Sequence, residues 1–161
     1  MGRLTPLAPA NFQIVVGALN PAPIWCTIVR MRCVADTNIL LAVALDEPEK
    51  PWLVRVTRKA ELAAPSVLPY ELANALSALV KRGRIAAAQA GEIWDVTQGI
   101  RIRLVDVDIR AALSLAAEHG IYAYDGYFLQ CAIELRCPLL TLDCNLRRTA
   151  AAMHVDLLEQ Q

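Results

Sequence analysis

From Met31 onward, short apolar runs alternate with stretches in which apolar residues recur every three or four positions. Arg32-Cys-Val-Ala-Asp36 is brief, apolar and bounded, which predicts a buried strand. Asn38 to Leu45 has helical spacing, with Thr37 or Asn38 able to cap its start. A second helix is predicted over Pro51 to Ala60, where the proline suits a first-turn position. Leu62 to Pro65 reads as a weak strand. From Pro69, the residues Leu72, Ala75, Leu76, Leu79 and Val80 form one apolar stripe that Gly83 terminates. Ile85 to Thr97 predicts an alanine-rich helix, and Ile100 to Val107 alternates as a strand does. Asp108 caps a helix that ends at His119-Gly120. Further on, 125–136 is helical by period, 138–142 is a short apolar strand, 145–153 is helical and 155–158 is a last edge strand. Strands alternating with helices predict an α/β fold: a parallel-stranded central sheet flanked by helices, helix-rich.

The first thirty residues break this pattern. Positions 4 to 29 carry no charge, yet Pro6, Pro9, Pro21 and Pro23 argue against a membrane-spanning helix. Arg3 followed by Ile14 to Leu19 is a weak signal-peptide pattern with a short apolar core. Residues 1–30 are therefore expected to be an extension outside the fold, disordered or preceding a true start at Met31, with the folded domain at 31–161.

Composition narrows the class. At 56% hydrophobic and 20% charged, the chain has the makings of one folded domain and not of a disordered segment. The five cysteines include no C-x-x-C pair, so neither a zinc site nor a redox motif is indicated, and reduced buried thiols in a cytoplasmic protein are expected. The formal net charge of zero is unusual for a protein that grips nucleic acid, whose basic footprint normally supplies non-specific affinity. Local basic clusters do occur, and Arg82, Arg84, Arg147 and Arg148 are the candidate RNA contacts, although each also reads as a solvated helix end.

Four acids then change the picture. Asp36, Glu71, Asp125 and Asp143 each sit in an apolar frame, where a carboxylate is costly unless it is paired or coordinated. Taken singly, Asp125 and Asp143 read adequately as helix caps, as Asp108 does, and Glu71 reads as a first-turn acid favoured by the helix dipole. Taken together they read differently, because parallel strands bring their carboxyl ends to one edge and so point Asp36 and Asp143 into a common cleft. Converging carboxylates repel one another unless a hard cation such as Mg²⁺ lies among them. Thr37, Asn38, Thr141 and Asn145 flank the acids and could hold them by hydrogen bonds. Tyr122, Tyr124, Tyr127 and Phe128 surround Asp125, where base stacking and core packing are both open to them.

The segments Val34-Ala-Asp36-Thr-Asn-Ile, Tyr70-Glu71-Leu-Ala-Asn-Ala-Leu, Ala123-Tyr-Asp125-Gly-Tyr-Phe-Leu and Leu140-Thr-Leu-Asp143-Cys-Asn-Leu resemble, in order and spacing, the PIN-domain family. The likeness is to its VapC-type toxins of bacterial toxin–antitoxin pairs, and it extends over residues 31 to 158. It implies a PIN-like fold and a divalent-metal-dependent endoribonuclease using Mg²⁺ or Mn²⁺. On that likeness Asp36, Asp125 and Asp143 are the principal metal ligands, with Glu71 completing the catalytic site. It further implies an RNA substrate, a cognate antitoxin partner and a homodimer. A metal-activated water needs no side-chain nucleophile, and neither His119 nor His154 is assigned to catalysis. Two other readings compete. One is an inactive PIN-fold binding module, disfavoured because idle buried carboxylates cost stability. The other is a phosphatase with Asp36 as nucleophile, disfavoured because Asn38 stands where a second aspartate is usual.

Overall fold

The computed structural model describes residues 31–159. In chain order the elements are β1 (Arg32–Ala35), α1 (Thr37–Ala44), α2 (Lys50–Thr57), β2 (Glu61–Pro65), α3 (Leu68–Lys81) and α4 (Ala87–Gln98). Then follow β3 (Ile102–Val105), α5 (Ile109–His119), α6 (Ala123–Leu135), β4 (Leu139–Leu140) and α7 (Cys144–Ala152). The four strands form one parallel sheet in the order β3-β2-β1-β4. This is the expected helix-flanked α/β architecture, and the expectation for residues 1–30 lies outside the described residues.

Inner strand β1 explains why its sequence is a run and not an alternation. Cys33, Val34 and Ala35 are all fully buried, so the strand is covered on both faces. Helix α6 packs against β1 and β2, α5 packs on α6, and α1 lies against α2, α3 and α4. Phe128, Leu53, Leu72 and Leu139 are among the largest side chains shut away from solvent. β3 is an edge strand with two exposed residues, shorter than its alternation suggests. The expected final strand reduces to a single parallel bridge between Leu139 and Leu157. Trp52 is buried, and Trp94 packs partly buried against the core.

Two thiol expectations divide. Cys33 and Cys131 are buried, and burial pushes both thiols up to about 12. Cys144 instead is exposed, because it opens α7 on the side away from the core.

Gly126 fixes the crossing of α5 and α6. A Cβ there would lie 2.7 Å from the Ala112 carbonyl oxygen and 3.2 Å from the Ala116 Cβ. Backbone meets backbone at that point, one residue after Asp125. The helix that carries Asp125 can therefore lie this close only with glycine at 126.

Candidate metal centre

Parallel strands put their carboxyl ends on one edge, and β1 and β4 are neighbours there. The Asp36 N–H donates to the Leu140 carbonyl at 3.0 Å, so the ends of the two strands are tied side by side. Asp36 follows β1 directly and is only 6% exposed. Asp143 follows β4 by three residues, Glu71 stands in the first turn of α3 just after β2, and Asp125 stands in the first turn of α6.

The capping roles differ from expectation. Asp36 itself, not Thr37 or Asn38, caps α1, its Oδ1 accepting the Thr37 N–H at 2.6 Å. Asp143 caps α7, its Oδ1 accepting the amides of Asn145 at 2.7 Å and Leu146 at 2.8 Å. Asp108 caps α5 through the Ala111 amide, as expected. Asp125 is not a cap, because Tyr122 takes that position and offers no side-chain bond.

A network of uncharged donors orients these acids. Asp36 Oδ2 accepts from Asn38 Nδ2 at 2.5 Å and from the Thr141 hydroxyl at 2.6 Å. The Thr141 oxygen in turn accepts from Asn38 Nδ2 at 3.2 Å and from the Asp143 N–H at 3.0 Å. Asn38 Oδ1 accepts the Leu142 N–H at 3.0 Å, and the Thr37 hydroxyl donates to Glu71 Oε2 at 2.5 Å. Thr37, Asn38 and Thr141 thus touch the acids, Thr141 touching two of the four at once. Asn145 does not support them in the same way. Its backbone serves Asp143, while its side chain accepts from Arg148.

Electrostatics follow from this enclosure. Burial pushes the Asp36 carboxyl up to about 6; the bonds from Thr141 and Thr37 oppose the rise, and the charges of Asp125 and Asp143 add to it. Glu71 is pushed up to about 7, mainly by burial, with Asp36 and Asp125 adding to the rise against the Thr37 bond. Asp125 is raised by burial and by Asp143, against a bond from the Tyr122 backbone. Asp36 thus feels the charge of Asp125 and Asp143, Glu71 that of Asp36 and Asp125, and Asp125 that of Asp143. Among the described residues, none of the four is paired with a Lys or Arg.

Counting acceptors tests whether a hard cation fits. Asp36 Oδ2 already takes two donors, but Oδ1 takes one; Asp143 Oδ1 takes two, leaving Oδ2 free of any; Glu71 Oε1 is free while Oε2 is held. Asp143 and Glu71 are each anchored by one oxygen and keep the other free, while Asp36 is held at both oxygens and keeps one acceptor position on Oδ1. Among the described residues, no three His, Cys, Asp or Glu side chains are placed to hold an ion directly between them. Mg²⁺ and Mn²⁺ suit such a set nonetheless, since Mg²⁺ keeps several waters and needs only one or two carboxylates.

The candidate RNA contacts separate in space. Arg82 lines a groove of about 540 Å³ with Asn38 and Asp143. Arg148 lines another of about 480 Å³ with Asp125, His119 and Tyr122. Arg84 is exposed and lines neither groove, and Arg147 is engaged by Glu159 at 2.6 Å. Of the aromatic cluster, Phe128 belongs to the core and Tyr122 is largely exposed. His119 read only as a helix end in the sequence. The left-handed Gly120 at φ 65° turns the chain straight from it into α6, and that short turn was the available sign of its nearness to Asp125.

Residues 33–152 match the family model described as PIN domain. Ribonuclease VapC3 of Pyrobaculum aerophilum is 27% identical over 128 residues, 76% of this chain and 98% of that relative. Ribonuclease VapC9 of Mycobacterium tuberculosis is 30% identical over 127 residues, 74% of this chain and 91% of the relative. Among solved structures, PAE2754 from Pyrobaculum aerophilum superimposes with a TM-score of 0.58 at 21% identity, covering 74% of this chain and 80% of that one. VapBC2 from Rickettsia felis, solved with a DNA fragment of its promoter, gives a TM-score of 0.58 at 16% identity, covering 80% and 98%. At those identities the structures speak for the fold.

Proposed function

The chain belongs to the PIN-domain family, and from that premise we propose that it is a divalent-metal-dependent endoribonuclease acting as the toxin of a toxin–antitoxin pair. The observation that carries the reading is the shared edge of Asp36, Glu71, Asp125 and Asp143. Their charges reach one another from acid to acid, neutral donors orient Asp36, Glu71 and Asp143, and none of the four pairs with a basic side chain among the described residues. Relatives named as ribonucleases support it.

Asp36, Asp125 and Asp143 would hold Mg²⁺ or Mn²⁺, directly or through water, with Glu71 completing the set. Such an ion, when bound, supplies positive charge for the developing phosphorane and a water of lowered pKa. The chain's own residues supply the rest. Thr141, Asn38 and the Thr37 amide fix Asp36 so that only Oδ1 has capacity left. The α7 amides fix Asp143 by Oδ1 and leave Oδ2 without a donor. The Thr37 hydroxyl holds Glu71 by Oε2, which leaves Oε1 to complete the set. Orientation is thus settled before substrate arrives, which is where preorganised electrostatics gains most.

The remaining parts of the reading are a cytoplasmic location, a homodimer and inhibition by a cognate antitoxin peptide. No helix among the described residues is long and apolar enough to cross a membrane. The test is cleavage of a broad RNA panel with Mg²⁺ or Mn²⁺ by wild type, Asp36→Asn and Asp143→Asn, with folding followed by circular dichroism. Wild type should cut and both folded variants should lose at least about 100-fold in rate, as removal of a transition-state charge partner does. Wild type that leaves every RNA intact with either metal would end the proposal.

A further inference from the structure

The net charge of zero poses a question for any RNA enzyme: with few phosphate contacts, what holds the strand? The cleft that opens beside Asp125 supplies an answer. Its walls come from the end of α5, the start of α6 and the outer face of α7, and it encloses about 480 Å³, ample for one nucleotide. Asp125 lies at this cleft, so whatever occupies it is next to the proposed reaction centre.

Tyr122 lines the same cleft and is 84% exposed, more than any other large apolar or aromatic side chain among the described residues. A lone exposed ring is ordinary; its position is what counts. It sits at the cap of α6, three residues before Asp125, with extended backbone (φ −74°, ψ 154°). Tyr124 and Tyr127 pack edge to face on each other, centroids 6.1 Å apart and planes at 85°. Those two are engaged with one another, whereas Tyr122, at the cleft, stands outside that pair with its side chain open to solvent.

The cations divide in the same way. Arg147 is drawn to Glu159 at 2.6 Å and faces away from this task. Arg148 lines the cleft, steadied at one guanidinium nitrogen by the Asn145 side chain, with its other N–H groups available. His119 adds a third polar group to the same walls.

Resting on the ribonuclease reading, we infer that this cleft is a nucleotide subsite for single-stranded RNA, in which Tyr122 stacks an unpaired base and Arg148 holds an adjoining phosphate. Aromatic stacking serves any base and needs no large basic field, which reconciles a neutral protein with an RNA substrate. It also sets the form of the substrate, because a base can reach Tyr122 only when it is not stacked in a duplex.

The probe is a fluorescein-labelled single-stranded RNA of eight mixed nucleotides. Its binding is followed by anisotropy in EDTA, and its cleavage is followed separately with Mg²⁺. Tyr122→Ala should weaken binding about 5- to 100-fold, the range for one stacked base. Tyr122→Phe, which keeps the ring, should stay within about twofold of wild type on the same scale. Arg148→Ala should weaken binding and lower the salt slope by about one phosphate. With the same strand annealed to its complement, the Tyr122→Ala loss should vanish. Equal binding by wild type and Tyr122→Ala, or an equal loss on the duplex, overturns the subsite. If wild type cuts members of the RNA panel while binding and cleavage are indifferent to Tyr122, the subsite is removed and the ribonuclease reading stands, whereas wild type that cuts no member of that panel with either metal removes the reading itself.

Discussion

Thr141 is the residue whose loss should report most directly on the acid cluster. Its hydroxyl donates to Asp36 Oδ2 at 2.6 Å and accepts the Asp143 N–H at 3.0 Å, inside a side chain only 4% exposed. Thr141→Val keeps the shape and removes both bonds. A hydrogen bond to an ionised carboxylate contributes about 1.5–3 kcal/mol, and an amide left without its acceptor costs about 1–3 kcal/mol when buried. The Asp143 amide is partly buried, so its share falls at the low end, and the sum is about 3 kcal/mol while Asp36 is ionised. Below the Asp36 value of about 6 the carboxyl carries a proton and the lost bond is neutral. A neutral bond contributes only about 0.5–1.5 kcal/mol, so the variant should cost about 1–2 kcal/mol less at pH 5 than at pH 8. Urea unfolding in EDTA, followed by tryptophan fluorescence, gives both numbers, with Thr141→Ser as the control that keeps the hydroxyl. A penalty that is the same at both pH values, or one under about 0.5 kcal/mol at pH 8, would refute the claim that Thr141 steadies a charged Asp36.

Two further outcomes follow from the same geometry. Asp36 and Glu71 have folded-state values raised to about 6 and about 7, from 3.8 and 4.5, so the folded chain holds protons that the unfolded chain releases. Their contribution is complete below about pH 4 and is lost as pH rises through 6 and 7. Differential scanning fluorimetry should therefore show Mg²⁺ raising Tm at pH 8 by mass action, with little effect at pH 5 where protons occupy the acids; equal shifts at both would sink this linkage. Gly126→Ala should cost about 1–3 kcal/mol, because its Cβ would stand 2.7 Å from the Ala112 carbonyl and force α6 off α5. If that variant unfolds like wild type yet loses RNA cleavage, displacement of Asp125 alone is the cause; if neither changes, the close crossing has no consequence.

The sequence made the sheet and its acids legible for a simple reason. Buried parallel strands read as apolar runs, and Asp36 and Asp143 interrupt those runs at their ends, where polarity is otherwise absent. What stayed hidden depended on contacts between distant residues. Thr37 and Asn38 looked like caps because local spacing shows only the next helix, whereas their side chains reach Glu71 and Leu142, 34 and 104 residues away. Asn145 looked like a support for Asp143, yet its side chain meets Arg148 one turn along its own helix. Cys144 reads as core because it follows an apolar run, and the turn into α7 carries it outward. The last strand was over-read: only Leu157 bridges to Leu139, since β4 is itself just two residues long.

The clasp between the two ends of the domain also sets when the acid cluster can form. Asp36 is among the first residues of the fold to be synthesised, but the partners that orient it, Thr141 and the Leu142–Asn38 link, come more than a hundred residues later. A growing chain that stops short of β4 has neither the β4 edge beside Asp36 nor the Asp143 carboxylate that follows it, so the acids are not assembled. Every strand pairing is parallel and non-local, which places assembly of the edge late in folding. The four acids are therefore not brought together on the ribosome until almost the whole domain has emerged.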